Sequence, residues 1–426
     1  MTFRPIAIAL SPNTQARDAI LASSLMLQPW RWKRGHMDRR VERWFAKRLG
    51  NQYNVAVDSG RSALMIALEA LGIEPDDEIL TQAFTCTAVP AALIWRKAKP
   101  VWVDIDESYN IDPIDLEQKI TKRSKAIIVQ NTFGVPADYD AILAIARKHH
   151  LYVIEDCAHS LGATWNDKPL GSLGDIAIFS FGRDKVISSV SGGLITTHNA
   201  AVGKKLHAIT DTLAPPRNAF IAKQLFHIIF FTALVLPTYH LFSIGKVLHA
   251  IGRLLRLTTY AVTKGEKKLQ QPAYMPARLS NALARIAFSQ LQRLDRFNTH
   301  RVAVAQEFRK HIKTAKRYTP QHEHPQGQSI FLRYALAIKF DKKSKQPTDT
   351  KRSFLRHAHA AKLYLGDWYN GPITPLSVPF ADVHYEHGSC PRAEQAAASV
   401  INLPTYPRLS PDEIKRIIKF MNHEKS

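Results

Sequence analysis

The chain of 426 residues is short of cysteine, of acidic side chains and of long apolar runs, and each shortage excludes something. Three cysteines, Cys86, Cys157 and Cys390, are too few and too scattered for a disulfide framework or a paired-cysteine zinc site. A reducing compartment follows. With only 19 Gly and 24 Pro, and with 45% hydrophobic and 22% charged residues, the chain is neither fibrous nor disordered. Its length allows two or three domains. The N-terminal apolar run, residues 6–10, is too short for a signal-peptide core and lacks a small-residue cleavage site, so export by a cleaved signal is not expected. Acidic residues number 36 against 58 Lys and Arg, a net charge of +22. Such a field attracts nucleic acid, anionic lipid or a phosphorylated substrate. No helix-turn-helix or RNA-binding signature accompanies it, so nucleic acid is not the expected partner.

From about residue 55 to 197, short β-branched runs alternate with amphipathic helical stretches, the pattern of a largely parallel sheet covered on both faces. The expected fold class is α/β, with strands at 55–57, 79–80, 101–104, 126–129, 152–155, 177–181 and 194–197 and helices including 62–71 and 139–149. In such sheets ligands sit beyond the carboxyl ends of the strands. After Pro215 and Pro216 the chain becomes greasy and basic to about residue 268, with Arg217, Lys223, Lys246, Arg253, Arg256, Lys264, Lys267 and Lys268 against the single acid Glu266. Its most apolar run, residues 225–236, ends at Pro237, is interrupted by Lys223 and His227 nearby, and falls short of the roughly 20 residues that span a bilayer. Two readings stand side by side: a re-entrant or interfacial helical pair at an anionic membrane, or a helical insertion packed on the body or a partner subunit. The remainder begins with a long helix over 281–308, continues with a strand over 331–340 and ends in a helix over 411–421 capped by Ser410. Domains are therefore placed at 1–214, 215–272 and 273–426. The basic loop 342–351 reads as solvated surface.

Three polar constellations follow strands. Asp58-Ser59-Gly60-Arg61-Ser62 can be an anion cradle at a helix start, with Arg61 adding a fork, or a plain strand-to-helix turn with a serine cap. Glu155-Asp156-Cys157-Ala158-His159 ends an apolar strand in two carboxylates and an imidazole, able to hold a cationic ring nitrogen or simply to cap a helix. Ser180-Phe181-Gly182-Arg183-Asp184-Lys185, followed by Gly192-Gly193, presents a hydroxyl and then a lysine, which in such a site can lose its proton and form a Schiff base. An anion cradle, an acid and a lysine together have the logic of a pyridoxal-phosphate site. His322-Glu323-His324 has metal-ligand chemistry but sits in a Pro/Gly/Gln-rich loop with no further ligands, so it reads as surface. Trp30 and Trp32 among Arg31, Lys33 and Arg34 read as packing or a substrate edge.

The motifs SGRSALMIALEALG, DDEILTQAFTCTAVPAAL, AKPVWVDIDESYNIDP, KAIIVQNTFGVPADYDAI, YVIEDCAHSLGATWNDKPLGSLGDIAIFSF and SGGLITT, then ARLSNALARIAFSQLQRLDRF and CPRAEQAAASVINLPTYPRLSPDEIKRII, resemble the DegT/DnrJ/StrS sugar aminotransferases of fold type I. The similarity covers roughly 35–198, 278–308 and 390–421. It implies a large three-layer αβα domain, a smaller C-terminal α/β domain and pyridoxal 5'-phosphate as cofactor. It implies roles too: Lys185 for the aldehyde and the moving proton, Asp156 for the pyridinium nitrogen, and His159 beside the ring. Ser180, with Gly60, Arg61 and Ser62 of the cradle, is implied for the phosphate. Three departures stand out. Cys86 replaces the aromatic that stacks on the ring, with Phe84 two residues earlier. Pro276 replaces the asparagine that reaches the phosphate from the neighbouring subunit, and Arg61 replaces a threonine. Val190-Ser191 and Leu365-Gly366-Asp367-Trp368-Tyr369 differ from the family's usual text. The expected function is transfer of an amino group, from glutamate, to a keto-sugar on a nucleotide or other phosphorylated carrier, by a cytoplasmic homodimer that peripheral attachment could hold at the inner face of the cell membrane. Two alternatives remain: a dehydratase of the same family, in which histidine replaces the lysine, and a catalytically altered membrane-associated or regulatory binding protein.

Overall fold

The computed structural model describes residues 6–8, 13–239, 244–255, 257–259, 262–263, 265–313, 317–339 and 347–423. Its centre is a seven-stranded sheet of β1 (Tyr53–Val57), β2 (Glu78–Gln82), β3 (Lys99–Val103), β4 (Ser124–Gln130), β5 (Tyr152–Asp156), β6 (Ile176–Ser180) and β7 (Gly193–Thr197). The spatial order is β1-β7-β6-β5-β4-β2-β3; β7 runs antiparallel to both neighbours and the other pairs are parallel. The alternation of side chains along each strand divides the interior in two. Ala56, Leu80, Ile127, Val153 and Phe179 enter one core, while Val55, Ile79, Ile128, Ile154 and Ile178 enter the other. Helices cover both faces, among them α1 (Ala16–Met26) on the first and α2 (Gly60–Leu71) on the second. This is the three-layer α/β architecture of fold-type I transferases. The expected strands are present, most of them one to three residues longer than their apolar centres, because ladder hydrogen bonds continue into flanking polar residues such as Glu78 and Gln130.

The basic apolar stretch is helical. Asn218–Thr238, α3, is a continuous helix of 21 residues rather than a 12-residue run, and by length and composition it is the one described helix able to cross a membrane. A wide π-type segment, Phe230–Val235, accommodates the missing N–H and bulky ring of Pro237, which is why the proline does not end it. Ile221, Leu225 and Ile228 lie in the main core and α3 packs along α1, so this helix belongs to the body of the protein. A second helix, α4 (Ile244–Leu254), lies against α3.

The expected long helix over 281–308 is two helices, α5 (Asn281–Leu291) and α6 (Leu294–His311), broken at Arg293, whose φ of −112° and ψ of 4° are not helical. The break lets α5 fill the main core while Val304 and Phe308 of α6 serve a third core. That third core lies under the sheet β8 (Tyr318–Pro320), β9 (Arg333–Ile338) and β10 (Val400–Pro404), in the order β8-β9-β10, with α7 (Pro347–Ala360) and α8 (Pro411–His423). Ser410 and Glu413 form a reciprocal cap at the start of α8. The expected strand over 331–340 is shorter at both ends; residue 340 and residues 342–346 of the loop 342–351 lie outside the described residues, and 347–351 begin α7. Lys351 is not solvated. It is buried at 4% exposure, donates to the Ala397 carbonyl at 2.8 Å and pairs with Asp367 at 2.5 Å.

Candidate active site

Strands β1, β5 and β6 end at the same edge of the sheet, at Val57, Asp156 and Ser180, and antiparallel β7 begins there with Gly193. The turn after β1 feeds α2, whose cap is Ser59: its hydroxyl accepts the Ser62 N–H at 3.1 Å. Glycine is required twice for close approach. A Cβ on Gly60 would stand 2.9 Å from the Ser180 Cβ, and one on Gly193 would stand 2.5 Å from the Ser59 carbonyl oxygen. The first N–H groups of α2 and the Ser180 hydroxyl therefore meet in a cradle suited to a phosphate. The Arg61 side chain does not turn into that cradle as an unengaged fork. It is ion-paired with Glu266, a buried carboxylate from the basic stretch.

Asp156 and Glu155, adjacent in sequence, have separate fates because successive strand residues face opposite sides. Glu155 accepts N–H bonds from Gly171, Leu173 and Gly174, each at 2.7 Å, and so anchors a loop. Asp156 faces the cavity, accepts the Ala158 N–H at 3.0 Å and senses the charge of Lys185. Burial raises the Asp156 pKa, against the pull of Lys185; burial lowers the Lys185 ammonium, against the pull of Asp156 and helped by Arg333. The pair thus holds a lysine whose proton is easily released. His159 is held well below its ordinary pKa, first by burial and then by Lys185 and Arg333. Its Nδ1 accepts the Phe133 N–H at 3.3 Å, which leaves Nε2 to carry the proton of the neutral ring.

Behind Lys185 the loop is clamped. Asn13 donates to the Lys185 carbonyl, Arg301 donates to the Val186 carbonyl at 2.7 Å, and the Gln290 amide oxygen accepts the Ser188 N–H at 2.8 Å. The cavity in front, of about 570 Å³, brings together all the expected site residues except the enclosed Ser62: Gly60, Arg61, Cys86, Asp156, His159, Ser180 and Lys185. With no aromatic at 86, the aromatic residues lining the cavity are Trp368 and Tyr369 from the C-terminal part, with Phe220 and Tyr274. His322-Glu323-His324 is elsewhere: Glu323 pairs with Arg309, and His324 packs edge-on to Trp165. Trp32 is buried, donating to the Leu25 carbonyl at 2.7 Å, while Trp30 is exposed.

Sequence reasoning missed Arg333. Its side chain lies behind the cavity wall, the guanidinium 3.9 Å from the centre of the Trp368 ring, and its Nη1 is buried without a hydrogen-bond partner. Burial lowers its pKa to about 10, so it is still a cation at neutral pH. The signal was one arginine inside an apolar strand. Also missed was the cavity's roof: Phe220, Lys223 and Gln224 of α3, with Thr259, Thr263 and Lys267, come from the basic stretch. Arg183, paired with Asp184 at 3.1 Å, ties this roof to the lysine loop by donating to the Thr259 carbonyl at 3.3 Å.

A cradle at a helix start, a buried carboxylate and a buried lysine at the carboxyl edge of this sheet define a fold-type I pyridoxal-phosphate-dependent transferase. The sequence model of the DegT/DnrJ/EryC1/StrS aminotransferase family matches residues 15–218 and 244–422. The chain belongs to that family and is a pyridoxal-phosphate-dependent aminotransferase. It is 28% identical over 397 residues to the spore coat polysaccharide biosynthesis protein SpsC of Bacillus subtilis (strain 168), covering 91% of this chain and 89% of that one. It is 26% identical over 413 residues to a GDP-perosamine synthase of Escherichia coli O157:H7, covering 96% of each. The solved structure of Helicobacter pylori PseC, an aminotransferase involved in the biosynthesis of pseudoaminic acid, shares the fold with a TM-score of 0.74 at 18% identity, over 98% of each chain. Membership makes pyridoxal 5'-phosphate the expected cofactor, and the present Lys185 does not favour a dehydratase or a catalytically altered protein. Residues 219–243, most of α3, fall between the two matched segments.

Proposed function

We propose that this enzyme moves an amino group from an amino acid, glutamate, to a keto-sugar on a nucleotide or similar phosphorylated carrier, working as a cytoplasmic homodimer. The observation that supports it is one cavity lined by the α2 start, Asp156 and Lys185, with the Arg333 cation buried behind its Trp368 wall. Pyridoxal phosphate, when bound, supplies an aldehyde and an electron-accepting ring. The residues here fit it. The backbone N–H groups at Gly60 and Arg61, with Ser62 in the same turn and the Ser180 hydroxyl, would hold the phosphate, and Asp156 would keep a proton on the ring nitrogen. His159, neutral, would lie beside the ring without adding charge, and Cys86 lines the same cavity.

Lys185 Nζ, poised by burial to lose its proton, takes the hydrogen from the donor Cα and delivers it in the reverse sense to the acceptor carbon. Over two half-reactions the amino acid leaves as a 2-oxo acid and the ketone becomes an amine. Arg333 supports an amino-acid donor, because its buried Nη1–H groups have no hydrogen-bond acceptor and a donor carboxylate would supply one. The rim cations Lys223 and Lys267 support a phosphorylated acceptor. The test is the visible absorption band of the protein with added pyridoxal phosphate. It should require Lys185 and bleach with glutamate; transamination retained by Lys185→Ala would sink the mechanism.

A further inference from the structure

The exposed face of α4 is the most conspicuous apolar surface among the described residues. Ile244, Val247, Ile251 and Leu254 follow one another at helical spacing, Leu255 and Leu257 continue the stripe, and all six are between 40% and 81% exposed. Its opposite side explains why they cannot turn inward. Gly252 and Gly245 press on α3 so closely that a Cβ on Gly252 would stand 2.9 Å from the Phe230 ring and one on Gly245 would stand 2.4 Å from the Val235 carbonyl oxygen. The helix is locked with Gly245, Leu248 and Gly252 inward and Ile244, Val247, Ile251 and Leu254 outward. A patch of this kind marks an interaction site.

We infer that this stripe docks the enzyme on the surface of an anionic lipid bilayer. Charge selects the occupant. On α4 itself the charged residues are Lys246 and Arg253, both exposed, and the one acid of residues 217–268, Glu266, is buried against Arg61. A second copy of the chain meeting this face across a two-fold axis would set like charge against like. An anionic headgroup layer instead neutralises the basic groups while its acyl boundary takes the leucines. Spanning is excluded by packing, since withdrawing α3 would strip Ile221, Leu225 and Ile228 from the main core.

Position adds a functional consequence. Leu257 is two residues from Thr259, whose hydroxyl meets the Gln224 amide oxygen at 2.9 Å and whose carbonyl accepts from Arg183; Thr259 and Gln224 line the cavity. Docking by this stripe sets the rim of the catalytic cavity beside the headgroups. An acceptor carried on a membrane lipid then has a short path to Lys185, a reading that rests on the proposed transamination.

The experiment is sedimentation of the full chain, loaded with pyridoxal phosphate, with vesicles of phosphatidylcholine plus phosphatidylglycerol or of phosphatidylcholine alone. Binding to the anionic vesicles should be at least about tenfold stronger than to the neutral ones and should weaken with salt. Ile251→Ser, Leu254→Ser and Leu255→Ser combined should lower it by more than about tenfold while leaving the glutamate bleaching of the visible band unchanged. Equal sedimentation of the triple variant, or none by the wild type, overturns the docking surface. Loss of a dimer in the variant without vesicle binding by the wild type assigns the stripe to a second copy and overturns it too. Because bleaching is read without vesicles, failure of the transaminase reading is seen separately.

Discussion

Replacing Arg333 by methionine should separate stability from function. The wild-type guanidinium is buried, and at Nη1 it has no hydrogen bond. The folded protein without ligand therefore carries the desolvation of a cation, several kcal/mol in effective terms, against a stacking contact on Trp368 of about 0.5–2 kcal/mol. Methionine fills similar length without charge, so the variant should be at least as stable as the wild type to urea. The donor side moves the other way. A charge-assisted bond to a carboxylate is worth about 1.5–3 kcal/mol, which at 1.4 kcal/mol per decade raises KM for glutamate by about 10–150-fold. The assay is single-turnover bleaching of the visible band against glutamate concentration, beside the reverse reaction started from an amine that lacks a carboxylate. The second rate should hold. A variant that binds glutamate as the wild type does, or that loses both reactions equally, would refute the assignment of Arg333 to the donor.

Other perturbations follow from the same geometry. Gly60→Ala forces a Cβ against Ser180 and should weaken pyridoxal phosphate binding by about tenfold, from roughly 1–3 kcal/mol of overpacking, as read by spectroscopic titration of the cofactor. Asp58 is raised by burial to about 6, so its contribution to stability is full below about pH 4 and is lost as pH rises through 6. Asp58→Asn should therefore remove about 3 kcal/mol of that decline, measured as urea midpoints between pH 4 and pH 7. Glu266→Gln leaves Arg61 without its carboxylate and should cost about 3 kcal/mol, the low end for a broken buried pair because the Arg61 side chain keeps 19% of its surface. Added inorganic phosphate should restore part of that loss in thermal melts; no restoration would separate Arg61 from the anion cradle.

The fold was legible because its information is local. The centre of each sheet strand shows as an apolar run, Asp156 and Ser180 end theirs, and Lys185 follows within a few residues. What escaped was long-range. Arg333 stands behind the cavity's Trp368 wall on a different sheet, and only its oddity as a charge inside an apolar strand announced it. The partner of Arg61 lies about two hundred residues away, marked by being the sole acid in a basic stretch. The helix break at Arg293 had no glycine or proline to reveal it; it exists because α5 and α6 serve different cores. Of the basic stretch, α3 is packed on the body, and α4 carries an exposed apolar stripe that neither reading located.

The two ties that fasten the roof, Glu266 to Arg61 and Thr259 to Arg183, bear on how this enzyme could be re-engineered. Excising residues 219–243 would not yield a leaner relative, because Phe220, Lys223 and Gln224 would leave the cavity and Thr259 would lose its amide contact. A transplant of the segment into another scaffold would need to carry Glu266 and find an arginine at the start of the recipient's first cradle helix. The insertion and the catalytic loop are thus one exchangeable unit, and they travel together or not at all.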